Sequence, residues 1–404
     1  MLEVLTGRWR QRARGLTLIA LVSLLLAGCG VTGSSSSSSS SQTVKITGNT
    51  LRIYLSKPAG ADAAQLDVID AEQLAFQQIS GGVKGFQLKL DVAALPKLSA
   101  NARKAIQDKT AVAYLGDLVP GSSEQSVGIT NAVDLLQVSP TDTALELGAS
   151  TPAISDTPDK YFESLSTYHR TFARIVPTSA EEAFFIAAQL HSASVSSLYI
   201  SSDGSNYGEA LAHALRGDAR SHSVTIASAE AGASAIFYSG NDAAKAARFM
   251  NAAASAAPSA LLLAPSGLDQ AAFVGALSAT AKAHLRISTP GLAASSTTAA
   301  GKTFGQDFQS RYGHAPAGQA IFGYAAMQAV LAAIKNAGTD ADSRATVVSD
   351  FLKLHEFQTV LGPISIDTDG NSSFNSFLWS RVGGSGIEPA SGLKLAMTGS
   401  GGSK

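Results

Sequence analysis

AVAYLGDLVPGSS, residues 111–123, is the stretch that decides the fold. Residues 111–115 are uniformly apolar and read as a buried strand. Gly116 ends the strand, and Pro120-Gly121-Ser122-Ser123 reads as a turn into a helix start. The same alternation extends outward in both directions. Strands are expected over 51–55 and 86–92, with helices over 62–79 and 99–108. A helix over 125–132 precedes a strand over 135–138. Strands separated repeatedly by helices imply a parallel α/β sheet. After a Thr/Ser/Asp/Pro-rich loop at 148–159 the pattern restarts. Strands are expected at 197–200, 235–238 and 260–263, with a helix over 207–215. No short-period repeat points to a solenoid or a propeller.

The N-terminus has a different character. Arg8, Arg10, Arg12 and Arg14 precede an apolar run from Leu16 to Ala27, too short to span a bilayer comfortably but suited to a signal peptide. The run ends Leu26-Ala27-Gly28-Cys29, which matches the bacterial lipobox, whose cysteine thiol is acylated. Cys29 is the only cysteine of 404 residues, so no intramolecular disulfide is available. Eight serines, Ser34 to Ser41, follow and read as a flexible tether. Residues 1–28 are thus expected to be a lipoprotein signal, 29–48 a tether, and 395–404 a disordered tail. The apolar segment 320–337 carries Gln328, Lys335 and Asn336 and reads as a buried or amphipathic helix.

The whole chain has 30 basic and 31 acidic residues; residues 1–28 hold four Arg and one Glu, leaving 26 and 30. That balance gives no electrostatic reason to expect nucleic acid as a partner. Apolar residues make up 45% of the chain, enough for a large buried core.

In open parallel sheets ligands bind beyond the carboxyl ends of the strands. Two such ends are Gly116 to Ser123 and Ser139 to Thr143. Ser122 with Gln125 and Thr143 with Glu146 have capping-box spacing, so each segment is expected to open a helix whose free N–H groups can hold an anion or simply be capped. Asn206 with Glu209 is a third expected cap pair, and Tyr207 is placed at the mouth of the cleft.

These segments together resemble the type I periplasmic binding proteins of the branched-chain amino acid (Leu/Ile/Val-binding) group. The resemblance is carried by Gly81-Gly82-Val83-Lys84-Gly85, by the spacing from Gly116 to Ser139-Pro140, by Tyr168-His169-Arg170-Thr171 and by Asn206-Tyr207-Gly208. It continues through Phe304 to Tyr312, Gly323-Tyr324-Ala325-Ala326 and Leu361-Gly362-Pro363-Ile364 to Asp369-Gly370, covering about residues 49–385. It implies two doubly wound parallel-sheet lobes joined by a three-segment hinge, with crossovers near 170–174, 288–291 and 358–361. Lobe 1 is then 49–172 plus 290–358, and lobe 2 is 173–289 plus 359–394. It also implies ligand-binding positions at Pro120, Gly121, Ser122, Thr141, Asp142, Thr143, Tyr207, Asn241, Asp242 and Ser266. The family's acid for an ammonium group falls where Ser266 stands, leaving Asp142 or Asp242 as its replacement, or a ligand that is no amino acid.

No catalytic constellation is visible. Asp367-Thr368-Asp369-Gly370 has the start of an EF-hand loop, but the twelfth position is Leu378. Gly301-Lys302-Thr303 lacks the first glycine of a P-loop, since Ser296 stands there. The expectation is a non-enzyme without metal or cofactor. It is a lipid-anchored, extracytoplasmic solute-binding protein with a small polar solute and an ABC permease as partners. A sensory or interaction lipoprotein of the same fold is the alternative.

Overall fold

The computed structural model describes residues 44–162, 170–384 and 386–393. Cys29, the serine tract, Tyr168, His169 and the tail at 395–404 lie outside them.

Five strands form the first sheet: β1 Thr50–Ser56, β2 Gln87–Ala93, β3 Ala111–Leu115, β4 Leu136–Ser139 and β5 Phe172–Arg174. All its pairings are parallel, in the order β2-β1-β3-β4-β5. Every residue of β3 and β4 is buried, the mark of a sheet covered on both faces. One cover is the helix Ala63–Ile79, started by a capping box between Asp62 and Gln65. Against it lies Ala320–Ala337, the most thoroughly buried helix of the fold. Gly323 permits their contact, because a Cβ there would stand 2.3 Å from the Val68 carbonyl oxygen. Ala320–Asp340 is long and apolar enough to cross a membrane, yet most of it is buried among these partners.

The second sheet contains β6 Ser197–Ser202, β7 Thr225–Ile226, β8 Ala235–Ser239, β9 Leu261–Ala264 and β10 Leu285–Pro290. After it the hairpin of β11 Phe357–Thr359 and β12 Gly362–Ile364 precedes β13 Phe377–Gly383 and β14 Gly386–Ala390. The order is β14-β13-β10-β9-β8-β6-β7, parallel from β7 to β10, with β13 and β14 added antiparallel. Both sheets reverse their winding once, between β1 and β3 in lobe 1 and between β6 and β8 in lobe 2. Crevices at such switch points are where doubly wound sheets bind ligands.

The expected crossover at 358–361 is displaced. Val360, Leu361, Ile364, Ile366 and Phe374 all pack into the first core, and Val360 N–H donates to Gln328 Oε1 at 3.0 Å. The chain therefore stays with lobe 1 through Phe374 and joins the second sheet at Phe377. The local apolar run decides this: those side chains have the helix Ala320–Ala337 to cover.

The lobes meet directly. Ala144, Leu147 and Phe172 of lobe 1 share one apolar cluster with Ile186, Tyr207, Leu211 and Phe237 of lobe 2.

Candidate functional site

The loops after β3 and β4 face those after β6, β8 and β9. Two cavities lie between them. One, of about 30 Å³, is lined by Ala64, Gln65, Val68, Leu118, Val119, Pro120, Thr141 and Gln319 on the lobe 1 side, and by Ser266, Gly267, Asp269 and Gln270 on the lobe 2 side. A second, of about 300 Å³, lies between Gly121 to Gln125 and the loops carrying Ser205, Asn206, Tyr207 and Asn241. Val119 and Gln270 border both.

The loop after β3 is built around Gly121. Its φ of +83° is left-handed, and a Cβ there would stand 2.8 Å from Tyr207 Cβ, so glycine lets the two lobes touch. Ser122 is not the expected helix cap. It begins a 3-10 turn, Ser122–Gln125, and its Oγ accepts from Val119 N–H at 3.2 Å. Asp142 does the organising instead. Its buried carboxylate accepts from the N–H groups of Gly121 at 2.7 Å, Ser123 at 3.0 Å and Ala144 at 3.0 Å, which joins the two lobe 1 loops. Burial pushes this carboxyl up, while Arg174 and the three N–H groups pull it down.

Thr143 and Glu146 form no capping box either. No α-helix follows, only the turn Leu145–Leu147. Thr143 Oγ1 instead lies 3.1 Å from Ser266 Oγ in lobe 2. Thr141 Oγ1 donates to the Leu118 carbonyl at 2.6 Å. Glu146 is buried with neither carboxylate oxygen hydrogen-bonded among the described residues, and burial pushes it up to about 7.

In lobe 2 the cap of the helix Asn206–Ser221 is Ser205, whose Oγ accepts from Gly208 N–H at 3.0 Å. Asn206, the expected cap, is freed to reach Glu124 Oε2 at 3.0 Å and the Tyr161 hydroxyl at 3.2 Å across the cleft. Tyr207 is fully buried. Its hydroxyl accepts from Gly267 N–H at 3.2 Å and lies 3.4 Å from Ser266 Oγ. Asn241 Nδ2 donates to the Pro120 carbonyl at 2.6 Å, another direct bond between lobes. Asp242 lines neither cavity; it caps the helix Ala243–Ala256 by accepting from Lys245 N–H at 2.9 Å.

Of the ten anticipated positions, Pro120, Gly121, Ser122, Thr141, Thr143, Tyr207, Asn241 and Ser266 come together at the interface. Asp142 lies behind it, its carboxylate committed to backbone, and Asp242 lies apart. Sequence reading missed three others. Arg174, at the end of β5, donates from Nη1 to the carbonyls of Asp142 at 3.0 Å and Ala144 at 2.6 Å. Asp269 accepts from Gln319 Nε2 across the cleft at 2.6 Å, and burial pushes it up to about 6. Glu182, in the helix Ser179–Ser192, is wholly buried under Ser266 and pushed by burial up to about 7. One signal for Glu182 was available: it shares the four-residue spacing of buried Ile186 and Leu190, an acid on an apolar helix face.

The sequence profile of the family described as "Periplasmic binding protein" matches residues 56–378. No curated protein matches. Among solved structures, the leucine-binding protein LivK of Thermotoga maritima superposes with a TM-score of 0.68 at 16% identity, covering 85% of this chain and 97% of that one. A substrate-binding protein of an ABC transporter from Desulfitobacterium hafniense, in complex with Leu, gives 0.67 at 20%, covering 85% and 100%. A solute-binding protein from R. palustris, in complex with benzoate, gives 0.63 at 14%, covering 86% and 97%. A profile matched from the end of the first strand to the start of the last strand pair, on two lobes with these switch points, means that the chain belongs to the periplasmic binding protein family.

Proposed function

We propose that the chain is an extracytoplasmic solute-binding protein of an ABC importer, held to the membrane by lipid on Cys29. It takes a small polar, zwitterionic or amide-like solute between its lobes and delivers it to an ABC permease. The observation that carries this reading is the pair of cavities at the two switch points, lined from both lobes by Thr141, Ser122, Ser266, Tyr207, Asn241, Gln270 and Gln319. Such a lining is concave, mixed in polarity and shared by two bodies, as solute sites are. Its smaller cavity is closed down by direct bonds between lobes. A solute enters by replacing the pairs Thr143–Ser266 and Gln319–Asp269, so opening and closing accompany binding.

The structural relatives in complex with Leu and with benzoate favour a small organic solute. A thermal-shift panel of amino acids, amides and aromatic acids tests the reading. A true solute at about 100 times its dissociation constant raises stability by about 2.7 kcal/mol. A panel without any shift, at millimolar concentrations, rejects transport of this class of solute.

A further inference from the structure

Glu182 is the fourth residue of its helix and has no exposed surface. Its Oε1 accepts from Ser266 N–H at 2.6 Å and from the Ser288 hydroxyl at 2.5 Å. Its Oε2 accepts the Ser266 hydroxyl at 2.9 Å and faces the Tyr207 hydroxyl at 3.5 Å. Burying a carboxylate is costly unless donors surround it, and here they do.

A hydroxyl has one proton to give. With Ser266 giving its proton to Glu182, only lone pairs of Ser266 Oγ remain for the cleft, where Thr143 Oγ1 meets them at 3.1 Å. Tyr207 is fixed in the same sense, accepting from Gly267 N–H on one side and facing Glu182 on the other. Asp269 adds to the wall. One of its oxygens holds Gln319, and the other accepts no hydrogen bond among the described residues. No Lys, Arg or His lines either cavity. Around Ser266 the lobe 2 wall therefore presents acceptors, from Ser266, Tyr207 and Asp269, while Glu182 is ionised.

Protonation reverses this. Oε1 already faces two donors, so the proton settles on Oε2 and points at Ser266 Oγ or Tyr207. The Ser266 proton then turns into the cleft. Burial holds the Glu182 carboxyl near about 7, so both forms are populated at neutral pH.

We propose that Glu182 is a positioning residue that sets the hydrogen-bond polarity of Ser266, and that its ionised form makes the cleft select solutes presenting an amine over plain carboxylates. This rests on the solute-binding reading above. The titratable group facing Glu182 is the Tyr207 phenol; Ser266, Ser288 and Thr143 carry no charge. Its neighbour Glu181 is turned back to cap its own helix at Thr178, and Arg286 on β10 donates to the carbonyls of Leu285 and Gly392.

The test uses matched probes whose charges are constant between about pH 6 and pH 8: L-leucine with 4-methylpentanoate, benzylamine with benzoate, and L-phenylalanine with 3-phenylpropanoate. Calorimetry compares each pair on the wild type, Glu182→Gln and Ser266→Ala. The wild type is expected to favour the amine of a pair it binds, by roughly tenfold, with the advantage growing from about pH 6 to about pH 8. Glu182→Gln mimics the protonated form and should shrink that advantage at both pH values, leaving only the share that Asp269 supplies. Ser266→Ala, which keeps the carboxyl, should lose the pH dependence too. Preference for the carboxylate, an amine preference unchanged in Glu182→Gln, or no binding by any amine while carboxylates bind, each overturns the proposal. Binding by none of the six overturns the solute-binding reading for solutes of this size instead.

Discussion

Thr143 Oγ1 of lobe 1 stands 3.1 Å from Ser266 Oγ of lobe 2, with both side chains buried. This pair of hydroxyls joins the loops after β4 and β9, and Ser266 also lines the smaller cavity. Thr143 caps no helix, so Thr143→Ala removes a cleft hydroxyl without undoing a helix start. Binding of the best solute should weaken by about 1.5–3 kcal/mol if Thr143 meets a charged group, with the unliganded melting temperature nearly unchanged. Calorimetry and a melting curve on the same variant check both halves.

Tyr207→Ala is a poor probe of the same cleft, because the ring is buried and its loss should cost roughly 3–5 kcal/mol of stability. Tyr207→Phe isolates the hydroxyl. It should retain most of the stability while leaving Gly267 N–H unpaired, a penalty of about 1–3 kcal/mol. A Phe variant as unstable as the Ala variant would place the importance in the hydroxyl network rather than in the ring.

Gly121→Ala should interfere with closure. The new methyl would meet Tyr207 Cβ at 2.8 Å, and the left-handed backbone adds about 1–2 kcal/mol of strain. Small-angle scattering should report a larger radius of gyration than for the wild type, and affinity should fall. A wild-type scattering curve from a stable variant would show that the lobe contact gives way easily.

Asp142→Asn should destabilise lobe 1 itself. The carboxylate serves three backbone N–H groups, and an amide would turn a donor toward at least one of them. The expected loss is about 2–4 kcal/mol, visible as a lower denaturant midpoint without any solute present.

Stability should rise, not fall, on mild acidification. Glu182 and Glu146 are raised to about 7, and Asp117 and Asp269 to about 6, chiefly by burial. A carboxyl raised in the folded state binds its proton more tightly there than in the unfolded chain. Its stabilising contribution is complete below the unfolded value near 4.5 for Glu and is lost as pH rises through about 7. The melting temperature should therefore climb between about pH 8 and about pH 5. Glu146→Gln, which removes one such group having no hydrogen-bond partner to lose, should flatten that slope and stabilise the protein at about pH 8 by on the order of 1–3 kcal/mol. A slope unchanged in this variant would assign the pH dependence to the other raised carboxyls, the buried Glu72 among them.

Much of the fold was legible in the chain. Strand β3 fell at 111–115 as expected, and the Asp62 start and Ile79 end of the first helix were set by a capping box and a turn. Such features are local: a run of apolar residues of strand length, a cap three residues before its partner, a glycine after the last strand residue. The positions brought to the cleft were also legible, because they sit directly after strands and the winding of a parallel sheet collects its strand ends on one edge.

What each of those residues does there was decided only by tertiary structure. Capping-box spacing at Ser122/Gln125, Thr143/Glu146 and Asn206/Glu209 matched a local rule, but none of these pairs forms one. Asp142 reached the backbone N–H groups first, Ser205 outcompeted Asn206 by one position, and Ser266 drew Thr143 across the cleft. A side chain's hydrogen-bond partner depends on which groups packing leaves without water. That is fixed by residues 21 positions away for Asp142 with Gly121, 84 for Glu182 with Ser266 and 123 for Thr143 with Ser266. Periodicity carries no information over such separations, so the sequence by itself determined where the cleft lies, and the folded chain determined its chemistry.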